Sequence, residues 1–97
     1  MSEALPDHDF SELLERVKWH TSDKDRIRLI KATTNESKFT SKQVLQLLQS
    51  LSFETAKIEA GVLLYNHVVD PENYAKEAID PLRYKDEKEK IKKALNL

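Results

Sequence analysis

A single glycine and three prolines are all the strong turn punctuation in this chain of 97 residues. Between them the apolar residues recur at helical spacing, and no stretch alternates as a half-buried strand would. The chain is thereby constrained to be all-α. Its helix boundaries have to be read from capping residues rather than from glycine turns.

Residues 1–8 show no periodicity and are expected to form a flexible tail ahead of one helical domain over 9–97. Asp9 is the expected first cap, with Glu12 placed for the reciprocal contact of a capping box. Phe10, Leu13, Leu14 and Val17 then make one apolar stripe that closes near Trp19-His20. Thr21-Ser22 restarts a helix carrying Ile27, Leu29 and Ile30, which fades in the polar run 33–37. The clearest start is Thr40 with Gln43, a capping box, flanked by Phe39 and Val44 as a hydrophobic staple. Leu45, Leu47, Leu48 and Leu51 follow, and after Ser52-Phe53 a helix runs through Ile58, Val62, Leu63 and Tyr65 towards His67. Being apolar over much of its circumference, that helix is expected at the centre. Asp70-Pro71 pairs a capping residue with a proline that needs no amide partner, and Tyr74, Ala78 and Ile79 form the next stripe. Asp80-Pro81 should stop or kink it, and a last helix carries Ile91, Ala94 and Leu95 among charges.

These segments read as six short helices in three antiparallel hairpins, units 9–38, 39–69 and 70–97, arranged as a repeat-like stack or a small bundle. The period is about thirty residues, within the range of helical repeats. Asp9, Thr40 and Asp70 open the units, and Trp19, Phe53 and Tyr84 stand at the hairpin corners. Lys24, Lys57 and Lys88 lie about a turn into the second helices, with the gap from aromatic to lysine one residue longer in the first unit. The expectation is that each aromatic buries its ring and sets the angle between helices. Each lysine would lay its stem over the seam and send its ammonium to the last carbonyls of the preceding helix. Gly61, inside a helix, is expected where another helix approaches closely.

At these residues the chain resembles a known family. Phe53-Glu54-Thr55-Ala56-Lys57-Ile58-Glu59-Ala60 is similar to the aromatic–acid–x–x–Lys–aliphatic signature of domain of unknown function 4476. Phe39-Thr40-Ser41-Lys42-Gln43-Val44 resembles the segment just upstream, and Val69-Asp70-Pro71-Glu72-Asn73-Tyr74 its Asp-x-x-Asn element downstream. Trp19 departs from the usual aromatic spacing. The resemblance spans roughly residues 9–95, implies a helical fold, and transfers no catalytic or binding residues.

Nothing in the sequence assembles a reaction centre, and the chain is read as a non-enzyme with no cofactor. It has no cysteine, and His8, His20 and His67 lack a second ligand at i+3 or i+4, so no metal site is expected. Asp70-Pro71-Glu72-Asn73 lacks the glycine and the ligand series of a calcium loop. Asp86, Glu87 and Glu89 are interleaved with lysines and read as a solvated helix face. Charged residues make up 34% against 39% apolar, which suits a thin helical stack better than a deep-cored enzyme. The start of the chain lacks a signal-peptide pattern and no apolar run is long enough to span a bilayer, so a cytoplasmic location with no membrane partner is expected.

The leading functional reading is a protein–protein interaction or scaffolding module, with Lys42, Gln46 and Gln49 on a first-helix face as the docking surface and self-association left open. The alternative is a nucleic-acid or acidic-partner surface on the basic C-terminal helix, Lys85, Lys88, Lys90, Lys92 and Lys93. A net charge of -1 makes nucleic acid the less favoured partner.

Overall fold

Helix α1 (Asp7–Trp19), α2 (Asp23–Thr34), α3 (Ser41–Gln49), α4 (Glu54–Leu64) and α5 (Lys85–Leu95) are joined by an irregular helix between α4 and α5. This computed structural model describes residues 3–97; the expectation of a tail over Met1 and Ser2 lies outside the described residues. The irregular helix is a 3-10 turn, Pro71–Asn73, running into a π turn, Ala75–Ile79. Like packs on like. α1, α3 and the π turn lie side by side in one layer, and α2, α4 and α5 in the other. Each hairpin bridges the two layers, and α3 and α4 are central. The thinnest dimension is 19 Å, two helix diameters of about 10 Å each. The radius of gyration is 12.2 Å, against about 12.5 Å for a compact domain of this length. The hairpins thus stack as repeats, and the stack is short enough to close as a small bundle.

The apolar stripes do as their spacing predicts in most elements. Phe10, Leu13, Val17, Ile27, Ile30, Val44, Leu47, Leu48 and Leu51 are buried, with Phe39 set edge-on to Phe10. In α4 the pattern is inverted. Its buried face is Ala56, Ala60, Gly61 and Leu64, while Ile58, Val62 and Leu63 are only half-buried. A helix flanked by α2 on one side and α5 on the other turns its small residues towards the close contacts. A Cβ on Gly61 would stand 2.7 Å from Cδ1 and 3.2 Å from Cγ1 of Ile91, so the close partner is α5.

The π turn also has a packing reason. Five steps of about 100° would put Ile79 far round an α-helix from Tyr74. Bonding to the fifth residue, as in Asp80 N–H to the Ala75 carbonyl (2.8 Å), brings it back over the starting face. Tyr74, Ala78 and Ile79 are all fully buried as a result. The Tyr74 hydroxyl donates to the Gly61 carbonyl (2.6 Å), one of the acceptors left free at the end of α4. Burial pushes the Tyr74 phenol well above its ordinary pKa. At the far terminus Asn96 takes a left-handed conformation (φ 59°) and the Leu97 amide donates to the Lys92 carbonyl, closing α5.

Two expected caps are corrected. Asp9 caps nothing: α1 starts earlier, after Pro6, and has no side-chain cap. The segment before it is held in place among the described residues, with the Leu5 amide donating to the Lys38 carbonyl and Gln43 Nε2 to the Leu5 carbonyl (both 2.8 Å). Asp70 does not cap its own helix either. Its Oδ1 accepts from the Ser41 amide (2.8 Å) and from Ser41 Oγ (3.0 Å), the first turn of α3. Thr40 and Gln43 complete that turn as the capping box the sequence predicts. The segments ahead of each first helix also bridge one another in parallel, Ala4 with Lys38 and Phe39 with Val68.

Two stability predictions follow from these contacts. Asp70→Ala strands the buried Ser41 donors and should lower unfolding free energy by about 1–3 kcal/mol in urea titration. Gly61→Ala should destabilise by about 1 kcal/mol despite its better helix propensity, because Ile91 is fully packed. In an Ile91→Val background, which removes Cδ1, the same change should be neutral or stabilising; additive effects would refute the close contact.

Candidate functional site

The aromatics of the repeat do not serve as core residues. Trp19, Phe53 and Tyr84 are 79%, 70% and 56% exposed, correcting the expectation that they set the helix angles from within. Phe53 and Tyr84 occupy the N-cap positions of α4 and α5, and Trp19 ends α1 just before Ser22 caps α2. All three therefore stand at the hairpin corners along one edge of the stack, Trp19 at the end of α1 in the first layer and Phe53 and Tyr84 at the starts of α4 and α5 in the second. Neighbouring helices sit about 8–10 Å apart, so the edge presents three rings across roughly two helix spacings. His20 lies edge-on against Trp19, and the Arg83 guanidinium lies 5.6 Å from the Tyr84 ring centre.

The cation of the first unit is also not the one the aromatic spacing suggests. Counted from the N-caps Ser22, Phe53 and Tyr84, the residues that correspond are Arg26, Lys57 and Lys88. Lys24 is exposed, and Arg26 takes the role expected of it. Arg26 Nε donates to the His20 carbonyl at the end of α1 (2.9 Å). Its Nη1 donates to Asp23 Oδ1 (2.8 Å) and to Ser52 Oγ (2.9 Å). Asp23 in turn accepts from the amides of Ser52 (2.8 Å) and Phe53 (2.9 Å), ahead of α4. Burial alone would raise the Asp23 pKa. The two amides and the Arg26 guanidinium together outweigh it and hold the carboxyl below its ordinary 3.8. This knot fastens the first hairpin to the second at the aromatic edge.

Between the second and third hairpins the same edge is open. A groove of about 430 Å³ is lined there by Ser52, Glu54, Lys57, Tyr84 and Glu87, among others. Glu87 is 1% exposed and its Oε1 has no hydrogen-bond partner, correcting its reading as a solvated acid. The signal was present in the sequence, because Glu87, Ile91 and Leu95 fall at i, i+4 and i+8 on the buried stripe of α5. A second groove, of about 540 Å³, runs between α2 and α4 with Lys24, Ile27, Arg28 and Phe53 in its walls.

The residues singled out as docking positions are scattered. Lys42, Gln46 and Gln49 are exposed on α3 in the first layer, and Lys42 pairs with Glu77 at 3.7 Å. On α5, Lys85 pairs with Glu89, Lys90 with Glu54 and Lys92 with Asp80. Lys88 and Lys93 have no acidic partner among the described residues. No helix of the described residues is long and apolar enough to cross a membrane. His8 is exposed beside Glu12, and the His67 carbonyl accepts from the Phe39 amide, so the histidines stand apart.

A family model described as Domain of unknown function (DUF4476) matches residues 4–95. The chain belongs to this family. The match begins at the Ala4 bridge and so takes in the first hairpin. No curated protein and no solved structure matches the chain. The family's description names no function, so function is argued from the geometry.

The knot makes two predictions. Arg26→Met should cost about 1.5–3 kcal/mol by chemical denaturation, while Lys24→Met stays within about 0.5 kcal/mol. The Asp23 carboxylate, with its folded pKa depressed, contributes stability that is complete above its ordinary 3.8 and is lost as pH falls through the lower folded value. Melting curves recorded down to about pH 2.5 should show this loss, and Asp23→Asn should flatten it.

Proposed function

We propose that the chain is a non-catalytic interaction module that docks a protein or peptide partner along the edge formed by Trp19, Phe53 and Tyr84. The observation that carries this reading is the exposure of all three rings at the hairpin corners. Large aromatics are the residues a chain gains most by burying, and they are also the residues that dominate docking energies. Here the core is completed by Val, Ile, Leu and Ala with only Phe10, Phe39 and Tyr74 among the rings, so the exposed rings are not demanded by packing. Two grooves open beside Phe53 and Tyr84 and offer room for a partner's side chains.

The face of Lys42, Gln46 and Gln49 has less in its favour, since it is polar and its lysine is engaged with Glu77. Nucleic-acid binding through Lys85, Lys88, Lys90, Lys92 and Lys93 is disfavoured by the acidic partners of three of these lysines.

The readings separate in one experiment. Affinity capture from native lysate, with and without nuclease, is run on the wild type, on Trp19→Ala/Phe53→Ala and on Lys42→Ala/Gln46→Ala/Gln49→Ala. A nuclease-resistant partner lost only from the aromatic variant is expected, with unchanged amide spectra showing that the fold is intact. Retention by that variant would overturn the docking edge, and nuclease-sensitive capture would move the site to the α5 lysines.

A further inference from the structure

We propose that the α4–α5 groove is an arginine-binding site, taking one guanidinium of a basic peptide between the buried Glu87 carboxylate and the Tyr84 ring. The inference rests on the docking edge and names the chemistry of its partner. Glu87 is 1% exposed, lines the groove, and leaves Oε1 without a hydrogen-bond partner. No donor of the described residues reaches Oε1, and a buried acceptor left unpaired costs free energy, so the position calls for a group that brings N–H donors. Glu54 lines the same groove but is already paired with Lys90 at 3.7 Å, which leaves Glu87 as the carboxylate without a partner. Tyr84, more than half exposed, offers a ring face of the kind that already receives Arg83 at 5.6 Å.

The repeat itself shows which cation fits. At the junction of the first and second hairpins, Arg26 reaches Asp23 Oδ1 and Ser52 Oγ with one nitrogen. At the next junction the corresponding residue is Lys57, which lines the groove but makes no hydrogen bond or ion pair with Glu87 among the described residues. The guanidinium that completes the first junction is missing from the second, and Ser52 borders both. A planar fork donating to a carboxylate while stacked on a ring is an arginine arrangement, which the compact ammonium of lysine cannot reproduce. The volume of about 430 Å³ admits the whole side chain.

The test is a titration of the 15N-labelled full chain with the capped tripeptide acetyl-Gly-Arg-Gly-amide, against the neutral citrulline analogue. Saturable shifts are expected at the amides of Ser52, Lys57, Tyr84 and Glu87, and none with citrulline. Glu87→Gln should weaken binding about tenfold or more, and Tyr84→Ala about threefold. Because Oε1 accepts no hydrogen bond in the free protein, Glu87→Gln breaks none there and should hold the melting temperature, which keeps loss of binding separate from loss of fold. A fall in melting temperature would mean that the carboxylate already has a partner in the protein, and would overturn the proposal. So would equal binding of citrulline, full binding by Glu87→Gln, or shifts spread over exposed acids such as Glu12 and Glu36. A failed titration leaves the docking edge standing, since Trp19→Ala/Phe53→Ala tests that edge away from this groove.

Discussion

Every α-helix leaves amide donors at its start and carbonyl acceptors at its end without partners, and a stack of short helices has many such ends in few residues. Here the neighbouring unit supplies much of the remedy. The carboxylate of Asp70 serves the first turn of α3, and that of Asp23 serves the backbone leading into α4. Tyr74 answers a carbonyl at the end of α4, and Arg26 one at the end of α1. The groups that finish a helix are thus the groups that hold the next hairpin in place, so secondary and tertiary structure depend on the same few contacts. The parallel register of like helices follows, because an acid at one helix start reaches a neighbour's amides only if both starts lie at the same end.

That arrangement frees the three corner rings, Trp19, Phe53 and Tyr84, from structural duty. The layers close on aliphatic side chains, on Phe10, Phe39 and Tyr74, and on the small face of α4, where Gly61 admits Ile91. The exposed rings at the hairpin corners are then surplus to the core, and the open junction beside Tyr84 contrasts with the knotted one. One repeat position, occupied by Arg26 in the first hairpin and Lys57 in the second, makes that difference.

The helices, the Thr40–Gln43 box and the main stripes were legible because they depend on local spacing, which a single sequence carries. The family was legible from three ordered segments. What could not be read depends on partners a unit away. Asp70 looks like the cap of its own helix until Ser41 is placed beside it, and Asp9 looks like a cap until Leu5 pairs with Lys38 and lets the helix start sooner. The corner aromatics drew the repeat alignment two residues off in the first unit and concealed Arg26. The inverted face of α4 is likewise a tertiary outcome: two flanking helices select for small side chains, whatever the mean hydropathy of the helix. For the candidate site, Tyr84 and Lys57 stood out in the repeat, whereas Glu87 was masked by the charges around it although it stands on the stripe of Ile91.

The cross-unit polar contacts share one further property. Asp23 reaches Ser52, Gln43 reaches Leu5, Ser41 reaches Asp70, and Tyr74 reaches Gly61. Each joins adjacent hairpins, and none among the described residues joins the first to the third. Coupling is therefore nearest-neighbour, as along a one-dimensional lattice, and all of it passes through the middle hairpin. The outer hairpins can loosen separately, each breaking a single interface, whereas the middle one opens only when both interfaces are broken. Its amides should accordingly be the last in the chain to exchange with solvent.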